Sequence, residues 1–400
     1  MNSLLKKIFS KEDDVHLLLP ETVYACPGLE CSIYFDNIVT VLNIRNYVFA
    51  VSCEVGRTDQ KRWRFLPTED QCGIYEWTVK VITQTGVAAT GRTRIKVVPR
   101  TPEKNVKMSL LIFGDSQTAP RAGEGYPERL HQLMREGKNI DFSMVGTNST
   151  GYSKPVPGGV AHEGYGGWVW ATFFTRANII ESDQNDGLDP QRPWLTNSRF
   201  LFPQEDGTYL FSFKKYCETY NNGNIPDTVV VMLGTNSIFY AGNLADLGSA
   251  WKQGIFPYVR RLVTELRAVS PGIHIAFSTL ITGAASQDAF GARHQCRQNR
   301  WQWRQNLDFY HRKLMQAAGK LQVEIIPSHV AVDGEHGYPT AEEEISQGCA
   351  DTEFRQIDAI HPSQDGHRQL GNAVYCYLAE VLYRRSTAPA AGVNPDPKKS

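Results

Sequence analysis

The chain has 400 residues, 41% hydrophobic and 21% charged, which reads as a globular protein too long for one small core. Lys plus Arg and Asp plus Glu both number 42, so the formal net charge is zero, which argues against the basic surplus of a nucleic-acid binder. No apolar stretch reaches the roughly 20 residues that span a bilayer.

Residues 1–14 read as a polar tail. Leu4, Leu5, Ile8 and Phe9 are broken by Lys6 and Lys7, and no small-residue cleavage site follows. No signal peptide is read here, so a cytoplasmic protein is expected, with export left open for a mature form. Residues 15–104 read as all-β. Short runs fall at Val15–Leu19, Cys31–Phe35, Ile38–Leu42, Tyr47–Val51, Arg62–Phe65, Tyr75–Val81 and Thr93–Val98. Tyr75, Trp77, Val79 and Val81 alternate onto one face. Strands this short, with turn signals between them, predict a small β-sandwich. Asp70 to Tyr75 resembles the corner before a late strand of immunoglobulin-like domains. Pro99–Lys104 is a linker.

From 105 to 385 the pattern changes to alternating strands and helices. Leu110–Phe113 is a strand, a helix starts at Pro127, and Phe142–Val145 is the next strand. Thr228–Leu233 is the continuous apolar run of a strand buried on both faces. A helical stretch covers 244–268, with Pro257 as a kink. Strand Ile273–Phe277, helix Arg300–Ala318, strand Val323–Ile326 and helix Asp365–Arg384 follow. This is a layered α/β domain with a mostly parallel sheet. Residues 386–400 read as a disordered tail. The eight cysteines are scattered without a C-x-x-C pair. Free thiols are expected, although the four within the first 72 residues could pair in an exported protein.

Active sites of open α/β sheets gather beyond the carboxyl ends of the strands. Ser116 follows one such strand and Gly234-Thr235-Asn236 another. A serine needs a base to take its proton and an acid to orient the base. Asp358-Ala-Ile-His361 supplies both three residues apart, while His367 falls in the last helix and reads as structural. The Asn236 amide could donate to a developing oxyanion or merely cap its turn. Gly164, Gly166 and Gly167 could bring a backbone N–H to a ligand or form a plain flexible loop.

Gly114-Asp115-Ser116, Gly167, Gly234-x-Asn236 and Asp358-x-x-His361 resemble the four ordered blocks of the SGNH (GDSL-like) hydrolases. His361-Pro-Ser-Gln-Asp-Gly366-His resembles the family's sequence after its histidine. His162-Glu-Gly-Tyr-Gly-Gly-Trp168 is similar to the second block of carbohydrate-esterase-type members. The resemblance covers residues 110–384. It implies a flavodoxin-like three-layer α/β/α domain, here behind the immunoglobulin-like sandwich. It implies Ser116 as nucleophile, His361 as base and then acid, and Asp358 as its orienting carboxylate. The N–H groups of Ser116 and Gly167 and the Asn236 amide would form the oxyanion hole. Gly164 or Gly166 could replace Gly167 in another loop alignment. Gln117 and Ser237 depart from the family's usual Leu and Asp.

An α/β-hydrolase would need G-x-S-x-G, which no serine here has. No H-E-x-x-H, P-loop or dinucleotide fingerprint is present, so neither metal nor cofactor is expected. Trp168, Trp170, Phe173, Phe174 and Trp194 sit in a long segment between the second and third blocks. Another insertion, 286–303, carries Arg293, Arg297 and Arg300. Trp168 is expected as a pocket wall, with Asp115 and Arg300 as further substrate-binding candidates. The expected activity is hydrolysis of short acyl esters, foremost acetyl, on a carbohydrate. A lipid or thioester acyl esterase and a binding protein with a decayed site are the alternatives. A homo-oligomer is left open.

Overall fold

The computed structural model describes residues 15–120, 123–177, 195–294 and 297–388. The expected tail at 1–14, the remaining tail from 389, Trp194 and Cys296 lie outside these residues.

The first unit contains β1 (Thr22–Ala25), β2 (Cys31–Tyr34), a helical turn α1 (Phe35–Ile38), β3 (Val48–Ser52), β4 (Arg57–Thr58), β5 (Arg62–Phe65), β6 (Gly73–Thr83) and β7 (Gly86–Val97). The strands form two sheets, ordered β1-β7-β6-β3 and β2-β5-β4. Their inner faces share one apolar cluster: Ile33, Trp63 and Phe65 face Trp77, Val79, Val81 and Ile95. The two sheets thus pack on one shared apolar layer. Period-two alternation puts Trp77, Val79 and Val81 inside together, and burying each contributes roughly 1.5–3 kcal/mol. The Tyr75 hydroxyl donates to the Gln71 carbonyl at 3.0 Å, closing the corner between Asp70 and Tyr75.

Two expected strands are corrected. Val15–Leu19 and Ile38–Leu42 meet only in an isolated bridge between Leu17 and Val39. Residues 35–38 turn helically instead, with Phe35, Asn37 and Ile38 buried. The reason is tertiary: the Asp36 and Asn37 side chains bond to the second unit.

That unit begins with β8 (Val106–Gly114), α2 (Tyr126–Glu136), β9 (Ile140–Val145), β10 (Glu163–Gly164), α3 (Thr172–Thr175), β11 (Leu201–Pro203), β12 (Tyr209–Phe211) and α4 (Phe213–Tyr220). It continues with β13 (Thr228–Met232), α5 (Thr235–Ile238), α6 (Leu244–Ser249), α7 (Phe256–Val269), β14 (His274–Ser278), α8 (Asp288–His294) and α9 (Arg300–Leu321). β15 (Glu324–Ile326), the hairpin β16 (Thr340–Glu344) and β17 (Thr352–Gln356), and α10 (Gln364–Thr387) complete it. The helix α10 thus runs past Ser386, where the tail was expected to start.

The central sheet runs β10-β8-β13-β14-β15, with β9 also paired to β8. All of these pairs are parallel. Leu110–Phe113 and Val229–Met232 are almost wholly buried, as strands covered on both faces must be. Helices α2 and α10 pack together, as do α7 and α9. Pro257 opens α7 after a π-turn at Ala250–Ile255. A proline has no N–H to continue the ladder, so the expected helical stretch runs on from Leu244 to Val269 but switches to π-type pairing just before Pro257.

After β8 the chain goes to β9 on one side, then returns to β13 on the other. The order of connection therefore reverses between the carboxyl ends of β8 and β13, where such sheets leave a crevice. The described cysteines are free thiols.

Candidate active site

Gly114 ends β8 and admits no side chain, since a Cβ there would lie 1.8 Å from Thr118 Oγ1. The chain then turns tightly. The Asp115 carbonyl accepts the N–H groups of Thr118 and Ala119 at 3.0 and 3.1 Å, and its Oδ1 accepts that of Gln117 at 3.0 Å. The turn presents Ser116 to the crevice.

Ser116 Oγ lies 2.8 Å from His361 Nε2. His361 Nδ1 lies 3.0 and 3.1 Å from the two Asp358 oxygens. An ionised carboxylate only accepts, so Nδ1 carries the proton and Nε2 is free to accept the serine O–H. Asp358 Oδ1 also accepts the N–H groups of Ile360 and His361, each at 3.0 Å. The D-x-x-H spacing therefore closes a turn that holds acid and base together. Burial is the largest influence on His361 and pulls its pKa down to about 4. Arg293 pulls the same way and Asp115 opposes it, leaving a neutral imidazole near neutral pH.

Gly234 turns the chain after β13 at φ +138, where a Cβ would strike the Tyr310 ring at 2.5 Å. Asn236 follows, and its Nδ2 donates one hydrogen to the Trp168 carbonyl at 3.1 Å. That bond orients the amide and leaves its second hydrogen. Of the loop glycines, the Gly164 N–H is spent on His162 Nδ1 and the Gly166 N–H on the Tyr152 hydroxyl. Gly167, at φ +75, keeps its N–H without a partner among the described residues, as does Ser116. Glu163 anchors this loop from beneath. Fully buried, it accepts from the Thr147 N–H and from the hydroxyls of Thr147, Tyr165 and Tyr216.

Ser116, Gly167, Asn236, Asp358 and His361 all line one cleft of about 690 Å³, a size suited to a small ligand.

Three expected substrate contacts are corrected. Asp115 is wholly buried beneath the serine turn, where burial pushes its carboxyl up to about 6. Trp168 is buried too, stacked on Tyr165 at 4.2 Å. Its ring is core, and only its carbonyl serves the site. Arg300 donates to Asp36 Oδ2 at 2.7 Å, joining the two units. Trp170, Phe173 and Phe174 are likewise core.

Sequence reasoning named Arg293, Gln117 and His367 but not the contacts they make at the site. Arg293, on α8, pairs with Asp358 Oδ2. Gln117 donates from Nε2 to the Ile360 carbonyl at 3.0 Å, tying the serine turn to the histidine turn. Its position next to Ser116 was the available signal. His367 lines the cleft with Tyr240 and Gln364, so the position read as structural also faces the site.

No family model matches the chain, and no curated protein does. Among solved structures it is similar to the family 3 carbohydrate esterase of Clostridium thermocellum, at 15% identity over 70% of this chain and 100% of that one, with a TM-score of 0.41. It is similar to Axe2, an acetylxylan esterase from Geobacillus stearothermophilus, at 16% identity over 67% and 92%, TM-score 0.36. It is also similar to a GDSL-like lipase from Parabacteroides merdae, at 15% identity over 70% and 98%, TM-score 0.37.

Proposed function

We propose that this chain is a serine carboxylic-ester hydrolase of the SGNH type that removes short acyl groups, foremost acetyl, from a carbohydrate. The observation that carries this reading is the continuous relay from Ser116 through His361 to Asp358, opening on a cleft that Gly167 and Asn236 also line.

His361 Nε2 takes the serine proton as Oγ attacks the ester carbonyl. The carbonyl oxygen gains negative charge, and the N–H groups of Ser116 and Gly167 with the Asn236 amide stabilise it. The tetrahedral intermediate collapses, and His361 gives its proton to the leaving alcohol. Water, activated by the same imidazole, then releases the acid from the serine. Asp358 stays ionised throughout and stabilises the imidazolium.

The carbohydrate half of the reading is supported by the polar part of the cleft's lining: Glu124, Tyr152, Tyr240, Ser363 and Gln364 are groups that pair with sugar hydroxyls, beside the apolar Phe239, Ile360 and Pro362.

Turnover of acetyl against octanoyl nitrophenyl esters tests both halves. We expect acetyl preference, and a loss on the order of 10⁶ in kcat for Ser116→Ala. Unchanged turnover in that variant would sink the mechanism. Octanoyl preference would replace the carbohydrate reading with a lipid one.

A further inference from the structure

The β-sandwich lies behind the histidine turn, and one buried path of hydrogen bonds joins them. It starts at Asn37 in α1. Asn37 Nδ2 donates to the Val332 carbonyl at 2.7 Å, and Asn37 Oδ1 accepts the Thr282 hydroxyl at 2.7 Å. Both ends of this amide are therefore committed across the boundary, and both Asn37 and Thr282 are buried.

Thr282 leads directly to the site. Its carbonyl accepts Trp303 Nε1 at 3.1 Å. Gly283 follows at φ +90, with no room for a side chain: a Cβ would lie 2.6 Å from Trp303 Nε1 and 2.8 Å from the Ala359 oxygen. The Ala284 N–H then donates to the Ala359 carbonyl at 2.9 Å. Ala359 sits between Asp358 and His361. A second anchor runs in parallel. Asp36 Oδ2 receives Arg300 at 2.7 Å and Arg304 at 3.1 Å, and Arg304 also donates to the Val39 carbonyl at 2.6 Å. These arginines flank Trp303 on α9. Arg304 is buried, so it needs Asp36 as a counter-charge.

We propose that α1 of the β-sandwich is a positioning element for the catalytic turn: Asn37, acting through Thr282 and Ala284, holds Ala359 and so sets where Asp358 and His361 stand relative to Ser116. This rests on the serine-esterase reading above. It assigns the sandwich a part in the chemistry without any contact to substrate. A displacement of about 1 Å in such a turn can cost on the order of 100-fold in rate, so a distant bond can be felt at the serine.

The test uses the full chain. Asn37→Ala, Thr282→Val and the double variant are assayed with nitrophenyl acetate, and His361 is titrated by NMR in each. Thr282→Ser keeps the hydroxyl and serves as the rescue. Val79→Ala, in the sandwich core and away from the path, controls for lost stability. We expect kcat to fall about 10- to 100-fold in either single variant, with KM little changed. The double variant should be no worse than the worse single, Thr282→Ser should stay near wild type, and Val79→Ala should keep its kcat. The His361 midpoint should move up, as a loosened turn admits water.

A folded Asn37→Ala with wild-type kcat and an unmoved His361 overturns the proposal. So does an equal loss of kcat in Val79→Ala. If Asn37→Ala does not fold, Thr282→Val against Thr282→Ser decides by the same two readouts. A wild type that cleaves no ester refutes the proposed function, and the His361 titration then decides the positioning role alone.

Discussion

Asp358→Asn is the sharpest perturbation of the relay, because it keeps the shape and removes only the charge and one acceptor. In the native turn Oδ1 accepts two backbone N–H groups, from Ile360 and His361. An asparagine carbonyl can keep both, so the turn survives. The second oxygen, however, becomes an NH₂ facing His361 Nδ1, where two donors cannot share the contact. The imidazole must then carry its proton on Nε2, the atom 2.8 Å from Ser116 Oγ. It can no longer accept the serine proton. The equivalent change in the serine-protease triad costs about 10⁴ in kcat, or about 5.4 kcal/mol of transition-state stabilisation. Arg293 loses its partner too, but at 55% exposure water replaces it at little cost to stability. The assay is steady-state turnover of nitrophenyl acetate beside a thermal melt. We expect kcat down about 10⁴-fold, with KM and the melting midpoint near wild type. A folded Asp358→Asn within tenfold of wild-type kcat would refute the reasoning, since His361 would then need no fixed tautomer.

Asn236→Ala should lower kcat by roughly 10²–10³ as the loss of one oxyanion donor; near-native activity would make Asn236 only the tie to Trp168. The pH–rate profile should have its acid limb near pH 4, where burial holds His361: activity is present above that pH and lost as pH falls through it, because the base must be neutral. Arg293→Gln should move that limb to higher pH, since Arg293 lowers the His361 pKa. A limb that stays in place or moves down would show that Arg293 does not act on the imidazole.

Sequence and structure agree most closely where local pattern and burial coincide. Leu110–Phe113 and Thr228–Met232 are strands because such continuous apolar runs suit a sheet covered on both faces. Ser116 and Asn236 were legible for the same reason, each standing where a buried strand ends at a glycine. Asp358 and His361 were legible because three residues is the span of one hydrogen-bonded turn. The sequence thereby determined the parallel sheet and named Ser116, Asp358 and His361, the residues the proposed relay joins.

What it could not determine depends on partners distant in sequence. Trp168 and Arg300 look alike in a sequence whether they face solvent, substrate or core, and only packing sent one under Tyr165 and the other to Asp36. Phe35–Ile38 has strand-forming neighbours, yet becomes a helical turn because Asp36 and Asn37 find charges and amide partners about 250–300 residues away. The Gln117 bond to Ile360 and the Arg293 pairing with Asp358 are of the same kind. Local sequence decides which backbone shapes and chemistries are available. Only the tertiary structure decides which side chains meet, because burial removes water as the alternative partner and leaves whichever groups the fold has brought within reach.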